Sequence, residues 1–128
     1  MPIPASQLVD WKAQLAHLSH KMIALRAGIG WIGRNNLLVH PQFGSMIRLV
    51  TVLTDMPLRT DDSPYNGGCG SCRKCIKVCP VNAIADSHEE WDRIACLEKL
   101  KYFSKTFNIG QYICGLCVKV CNGTTSGS

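Results

Sequence analysis

Apolar residues between positions 7 and 27 recur at helical spacing. Trp11, Leu15, Leu18, Met22 and Leu25 follow at intervals of 4, 3, 4 and 3, which predicts an amphipathic helix over 7–27 with one packing face. Gly28 is its expected stop, because glycine tolerates the left-handed conformation just past a helix end. The period then changes. Residues 37–40 and 46–54 read as two strands around the turn candidate Pro41-Gln42-Phe43-Gly44. The second strand, MIRLVTVLT, is apolar on both faces, so it should be covered on both sides or dock against something outside these residues. From Asp55 to Gly68 the chain turns polar and carries Pro57, Pro64, Gly67 and Gly68, the expected boundary between two parts. Beyond it, Ser87 and Glu90 have capping-box spacing and predict a helix from about 88 to 106. The tail NGTTSGS is small and polar and is expected to be disordered.

Length and composition narrow the class. A chain of 128 residues is one domain's worth. Its 46% hydrophobic content and mean hydropathy of +0.04 allow a small core, and its 8 cysteines suggest staples that supplement it. The opening MPIPASQLVDWKAQ lacks the basic and apolar regions of a signal peptide. No apolar run approaches the ~18 residues of a membrane span. A cytoplasmic protein is expected, with no membrane partner. Many cysteines in a reducing compartment point to metal. The net charge of +5 assumes neutral thiols. With all eight as thiolates around two cluster cores of about 2+ each, it falls to about +1. The basic residues therefore balance the clusters, or else form a face that meets RNA.

The cysteines carry the chemistry. Cys69, Cys72, Cys75 and Cys79 form C-x2-C-x2-C-x3-C, with Pro80 directly after. This is the run of bacterial two-cluster ferredoxins, whose fourth cysteine serves the other cluster. Its tight loop lets three thiolates converge, small residues Gly70 and Ser71 let backbone N–H groups approach sulfur, and Pro80 ends the helix that follows. Cys114, Cys117 and Cys121 form C-x2-C-x3-C, and Cys96 stands alone upstream. The crossing rule gives one 4Fe–4S cluster to Cys69, Cys72, Cys75 and Cys121. It gives a second to Cys79, Cys96, Cys114 and Cys117. Two CxxC pairs could instead hold zinc, or the cysteines could form disulfides. Burial, hydrogen bonds to sulfur and cations such as Arg73 and Lys74 would set the potentials. No thiol is left over as a nucleophile.

Other signals are weaker. Gly28, Gly30 and Gly33 spell G-x-G-x-x-G, but a dinucleotide site needs a strand before and a helix after, and here the order is reversed. These glycines suit a sharp bend or close approach to a flat ligand. His17 and His20 could share a helix face, without a third metal ligand nearby. Arg93, Lys99, Lys101 and Lys105 make the helix around Cys96 basic, which is a solvated face or a contact for a phosphate backbone. Asp61, Asp62, Glu89 and Glu90 read as loop and helix-start carboxylates.

In order, AGIGWIGRNNLLV (27–39), VTVLTDMPL (50–58), CGSCRKCIKVCPVNAI (69–84) and CGLCVKVC (114–121) resemble epoxyqueuosine reductase. The double-cluster module is shared with corrinoid reductive dehalogenases. The likeness covers about residues 20–122, and GWIGRNN is its most telling segment. In that family a cobalamin, reduced through two clusters, attacks the epoxide of a modified queuosine base in tRNA. The resemblance implies the same crossed ligand pattern. It also implies that Gly30, Trp31, Gly33, Arg34 and Asn35 lie near the corrinoid. Arg34 replaces the family's usual lysine, and Asn36 stands where threonine or serine is common. On this likeness the chain is truncated at both ends. Most of the corrinoid pocket and a C-terminal tRNA-binding extension would lie outside it. The family's catalytic aspartate falls near Gln14, with Asp10 the only upstream acid. The family's Cys-Pro-Trp is replaced after Cys121 by Asn122 and Gly123.

The expected fold is α+β: an N-terminal helix and β-hairpin packed on a ferredoxin-like, α-helical two-cluster lobe. Residues 1–58 would be the segment resembling part of a corrinoid reductase domain, 59–122 the double-cluster domain, and 123–128 a flexible tail. The function read from this is electron transfer through two 4Fe–4S clusters, supplied by a donor of the ferredoxin or flavodoxin class. A corrinoid-binding chain or region, and tRNA, are further candidate partners. One rival is an epoxyqueuosine reductase-like enzyme that retains cobalamin, with its catalytic residues unassigned. Another is a zinc-stabilised binding module.

Overall fold

The computed structural model describes residues 19–60 and 63–123, and the backbone of three short strands before them. Those strands are β1 (Pro2–Ile3), β2 (Leu8–Asp10) and β3 (Leu15–Ala16). β2 and β3 pair antiparallel with an irregular register. Among the described residues the helix expected over 7–27 is therefore reduced to α1, His20–Arg26. Leu8 and Val9 also suit an extended segment, and a short apolar run does not choose between the two periods. Of the expected stripe, Trp11 and Leu18 lie outside the described residues. Met22 is exposed, and the face of α1 that is buried carries His20 and Ala24, one turn apart.

α1 stops where the sequence indicates. The Ile29 N–H bonds the Ala24 carbonyl, the Gly28 N–H bonds that of Leu25, and Gly28 has φ of 75°. This pattern is the Schellman cap, which needs a residue in the left-handed region. The next elements are β4 (Trp31–Ile32) and β5 (Leu38–Val39), paired with Trp31 opposite Val39. The hairpin thus forms one element earlier than expected. β4 is only two residues between glycines, too short for a periodic signal. The turn at 41–44 does form, closed by reciprocal backbone bonds between His40 and Gly44. The long strand expected over 46–54 is reduced to β6 (Thr51–Val52), which pairs with β1. Met46, Val50, Val52, Met56 and Leu58 around it are exposed. Of the two expectations for this segment, coverage on both faces is not met.

The cysteine-bearing part is built on α2 (Lys74–Val78), α3 (Arg93–Thr106) and α4 (Leu116–Lys119). α3 begins later than 88 because Asp92 is its cap, its carboxylate accepting from the Ala95 N–H at 3.0 Å. Ser87 instead caps a single 3₁₀ turn, His88–Glu90, accepting from the Glu89 N–H. Asn122 and Gly123, expected in a disordered tail, are placed, and Gly123 backs onto the carbonyls of His40 and Pro41. Residues 124–128 lie outside the described residues.

Among the described residues the buried apolar ones are Ala24, Trp31, Leu38, Val39, Ala83 and Ile84. Four belong to the α1–hairpin unit. Only two come from the cysteine-bearing part, so burial of apolar surface alone is a weak support for that part. Among the described residues no helix is long and apolar enough to cross a membrane.

Candidate iron–sulfur centres

The first cysteine loop is a tight turn. The Cys72 N–H bonds the Cys69 carbonyl at 3.0 Å, and α2 then carries Cys75 in its first turn. Cys79 follows α2 in an extended conformation, as a residue before proline prefers. Its sulfur accepts from the Ala83 N–H at 3.3 Å. α4 repeats this plan: Cys114 precedes it, Cys117 lies in it and Cys121 follows it. α2 packs on α4, and α3 brings in Cys96. Each short helix therefore offers a cysteine within it and another just past its end.

All eight thiols are free, and three of them are shifted by burial and by neighbouring cysteines. Cys75 is pushed up by burial and by its neighbours Cys69, Cys121 and Cys72, while the Ile76 N–H pulls it down. Cys96 is pushed up by burial, then by Cys79, Cys114 and Asp92. Cys117 reaches about 11 through burial, then Cys114, Cys75, Cys96 and Cys79. Cys79, Cys96, Cys114 and Cys117 also line one cavity of about 420 Å³, among apolar side chains such as Val81, Ile84 and Leu97. Among the described residues no three His, Cys, Asp or Glu side chains close around a single ion. A cubane takes one thiolate on each of four irons and so needs a wider set. Soft sulfur donors in an apolar, half-buried chamber fit such a group.

The shifted thiols predict two opposite pH responses. In the metal-free chain, thiols raised above their ordinary value of 9.0 favour the protonated native state. For Cys117 that stability is present below about pH 9 and is lost as pH rises through about 11, because the unfolded chain ionises first. Metal reverses the sign, since bound sulfur is deprotonated and acid competes for it. Thermal unfolding midpoints should fall between about pH 9 and 11 for the metal-free chain and on acidification for the loaded one.

The segment expected near a corrinoid lies against the first cysteine loop. The Trp31 indole N–H donates to Cys69 Sγ at 3.4 Å, and its ring stacks on Tyr65. Arg34 donates to the Cys72 carbonyl at 2.7 Å and to the Gly70 carbonyl at 2.9 Å. Its Nε is buried, without a hydrogen bond among the described residues, and faces Asp86 at 3.7 Å. Gly30 has no room for a side chain, because a Cβ would strike the Val39 carbonyl. Gly33 sits between Val39 and Cys69. Asn35 is buried, donates to Ser45 Oγ and accepts from the Leu37 N–H, so it shapes the hairpin turn. Trp31 and Arg34 border a recess of about 300 Å³ with Cys69, Gly70, Asp86 and His88.

Arg34 acts as a two-pronged clamp on the cysteine loop. Its side chain is only 15% exposed, so Arg34→Ala should cost about 2–3 kcal/mol. Arg34→Lys keeps the charge but loses the fork and should recover only part of it. Thermal unfolding and the rate of iron release to a chelator measure both. Equal behaviour of lysine and arginine would rule out the clamp.

The remaining signals take bland roles. His20 Nδ1 bonds Thr51 Oγ1 at 2.7 Å, and His17 lies outside the described residues. Lys21 donates to both the carbonyl and the side chain of Asn36, and burial lowers its pKa. Lys101 pairs with Glu98, and Lys99 lies over Tyr102 and Phe103. The glycine pattern follows helix α1 and runs into strand β4, the reverse of a dinucleotide site. Asp61 and Asp62 lie outside the described residues, and Glu89 and Glu90 are exposed. Sequence reasoning missed Tyr65, Ser45 and Asp86, which carry no motif; each matters only through its contact.

Paired short helices and eight converging cysteines define an iron–sulfur module, and residues 68–123 match the 4Fe-4S double cluster binding domain. Across 111 residues the chain is 37% identical to the epoxyqueuosine reductase of Bacillus anthracis, covering 81% of this chain and 29% of that one. The Listeria monocytogenes epoxyqueuosine reductase is 34% identical over 112 residues, with the same coverage. The solved epoxyqueuosine reductase of Streptococcus thermophilus superposes with a TM-score of 0.64 at 26% identity, over 88% of this chain and 32% of that one. An epoxyqueuosine reductase solved with an epoxyqueuosine-modified tRNA stem loop superposes with the same score at 30% identity, over 87% and 31%. Residues 68–123 thus carry the double-cluster-binding pattern, and most of the chain is similar to part of the epoxyqueuosine reductases. The chain spans about 29% of the length of these curated relatives.

Proposed function

We propose that this chain is a two-centre electron relay. Cys69, Cys72, Cys75 and Cys121 hold one 4Fe–4S cluster, and Cys79, Cys96, Cys114 and Cys117 hold the other. The observation that carries the reading is the single apolar cavity lined by all four cysteines of the second set. When bound, the clusters supply one-electron storage and transfer. The chain's own residues fix the thiolates on short helices, exclude water with apolar side chains and brace the first loop through Arg34. Residues 59–122 form the ferredoxin-like cluster domain, and 1–58 the segment that joins it to a larger reductase fold, with 123–128 as a tail. A donor of the ferredoxin or flavodoxin class supplies the electrons. Free thiols throughout suit the reducing cytoplasm.

A second reading is favoured by the exposed apolar residues Met46, Val50, Met56 and Leu58. They suit coverage by a corrinoid-binding region or chain, with Trp31 and Arg34 at the recess between it and the first cluster. On this reading the assembly reduces epoxyqueuosine in tRNA, using cobalamin.

The test is an anaerobic reductive titration of the purified chain, with and without added cobalamin. The relay takes up about two electrons per chain and passes them to a one-electron acceptor. Cobalt that stays bound through gel filtration, with turnover on epoxyqueuosine tRNA, would favour the reductase. A chain that takes up no electrons would sink both readings.

A further inference from the structure

We propose that Trp31 sets the reduction potential at the sulfur set of Cys69, Cys72, Cys75 and Cys121, through its indole N–H to Cys69. The inference rests on the ligand reading above and goes beyond it, because Trp31 lies outside the cysteine runs. Backbone N–H groups reach sulfur in any such loop. Here a side chain from another element does so, at 3.4 Å.

The indole is held for this purpose. Its N–H is a donor only. Trp31 is fixed in β4 opposite Val39 and is 7% exposed. Its ring stacks on Tyr65 with centroids 5.5 Å apart and planes at 18°. Gly33 keeps the approach open, because a Cβ there would lie 2.6 Å from Val39 Cγ2 and 3.6 Å from Cys69 Sγ. Arg34, on the same turn, holds the carbonyls of Gly70 and Cys72 and so fixes Cys69 from the loop side.

Reduction adds one negative charge to the sulfur-rich centre. A donor aimed at a ligand sulfur stabilises that more negative form, so it raises the potential. The other set receives a backbone donor, Ala83 N–H to Cys79, which Trp31 does not touch. Loss of the indole N–H should therefore move one potential and spare the other.

Trp31→Phe keeps an aromatic ring against Tyr65 and removes only the donor. In a potentiometric titration of the full chain followed by electron paramagnetic resonance, one midpoint should fall. The expected change is about tenfold in the reduction equilibrium, or roughly 59 mV for a one-electron couple. The second midpoint and the iron content should stay as in the parent. Two unchanged midpoints, or two that move together, would overturn the proposal. If Trp31→Phe loses iron, Tyr65→Leu decides, since it frees the indole without deleting it. A smaller fall in one midpoint supports the proposal, and no change overturns it. A parent chain without iron and sulfide would instead defeat the ligand reading itself.

Discussion

Cys75→Ala is expected to cost the chain at least half of its iron and sulfide and to unfold the cysteine-bearing part around the site. The size of the effect follows from what holds that part together. Ala83 and Ile84 are its buried apolar residues, whereas α1 and the β4–β5 hairpin contribute four. A part so poor in apolar core gains its stability from metal binding, which is coupled to folding. Cys75 sits among Cys69, Cys72 and Cys121, so its loss leaves three half-buried sulfurs with no complete set. Proteolysis should cut between 63 and 123 while the α1–hairpin unit resists. A Cys75→Ala variant with full iron and sulfide would break the ligand assignment.

Gly44→Ala should have the second largest effect, although it lies far from the cysteines in sequence. Gly44 has φ of 63°, and a Cβ there would strike the Cys121 carbonyl. Gly123 meets the carbonyls of His40 and Pro41 in return. The turn and the chain after α4 therefore interlock, and this contact fixes the backbone of Cys121. Alanine adds a left-handed penalty of about 1–2 kcal/mol and a steric displacement of similar size. Roughly 3 kcal/mol should be lost, with iron released from the set that contains Cys121. Gly110→Ala is the control. Its φ is 76°, but nothing lies within 4 Å of the Cβ, so only the backbone penalty applies and iron should stay. Equal costs at both sites would show that the interlock carries no weight.

The cysteine spacing made the site legible, because a cubane restricts where four thiolates can come from. Gly28 was legible too, since one residue type dominates the left-handed helix stop. The helix over 7–27 and the strand over 46–54 were not. Their apolar residues suit more than one element, and pairing partners far away in sequence decide between them. β6 pairs with β1, about fifty residues earlier. The G-W-I-G-R-N segment was legible as special through its family likeness. Its contacts were not, because the reach of Trp31 to Cys69 and of Arg34 to the Gly70 and Cys72 carbonyls exists only once the hairpin meets the loop. Tyr65 lies within the polar stretch 55–68, which carries no motif, yet it stacks on Trp31 and ties the two parts together.

The most direct test is metal and sulfide analysis of the full chain purified anaerobically, with an absorption spectrum. The account predicts about eight irons and eight sulfides per chain, with a broad visible band that bleaches on reduction. Stoichiometric zinc without iron or sulfide, in protein expressed with iron supplied, would contradict it and leave a zinc-stabilised module.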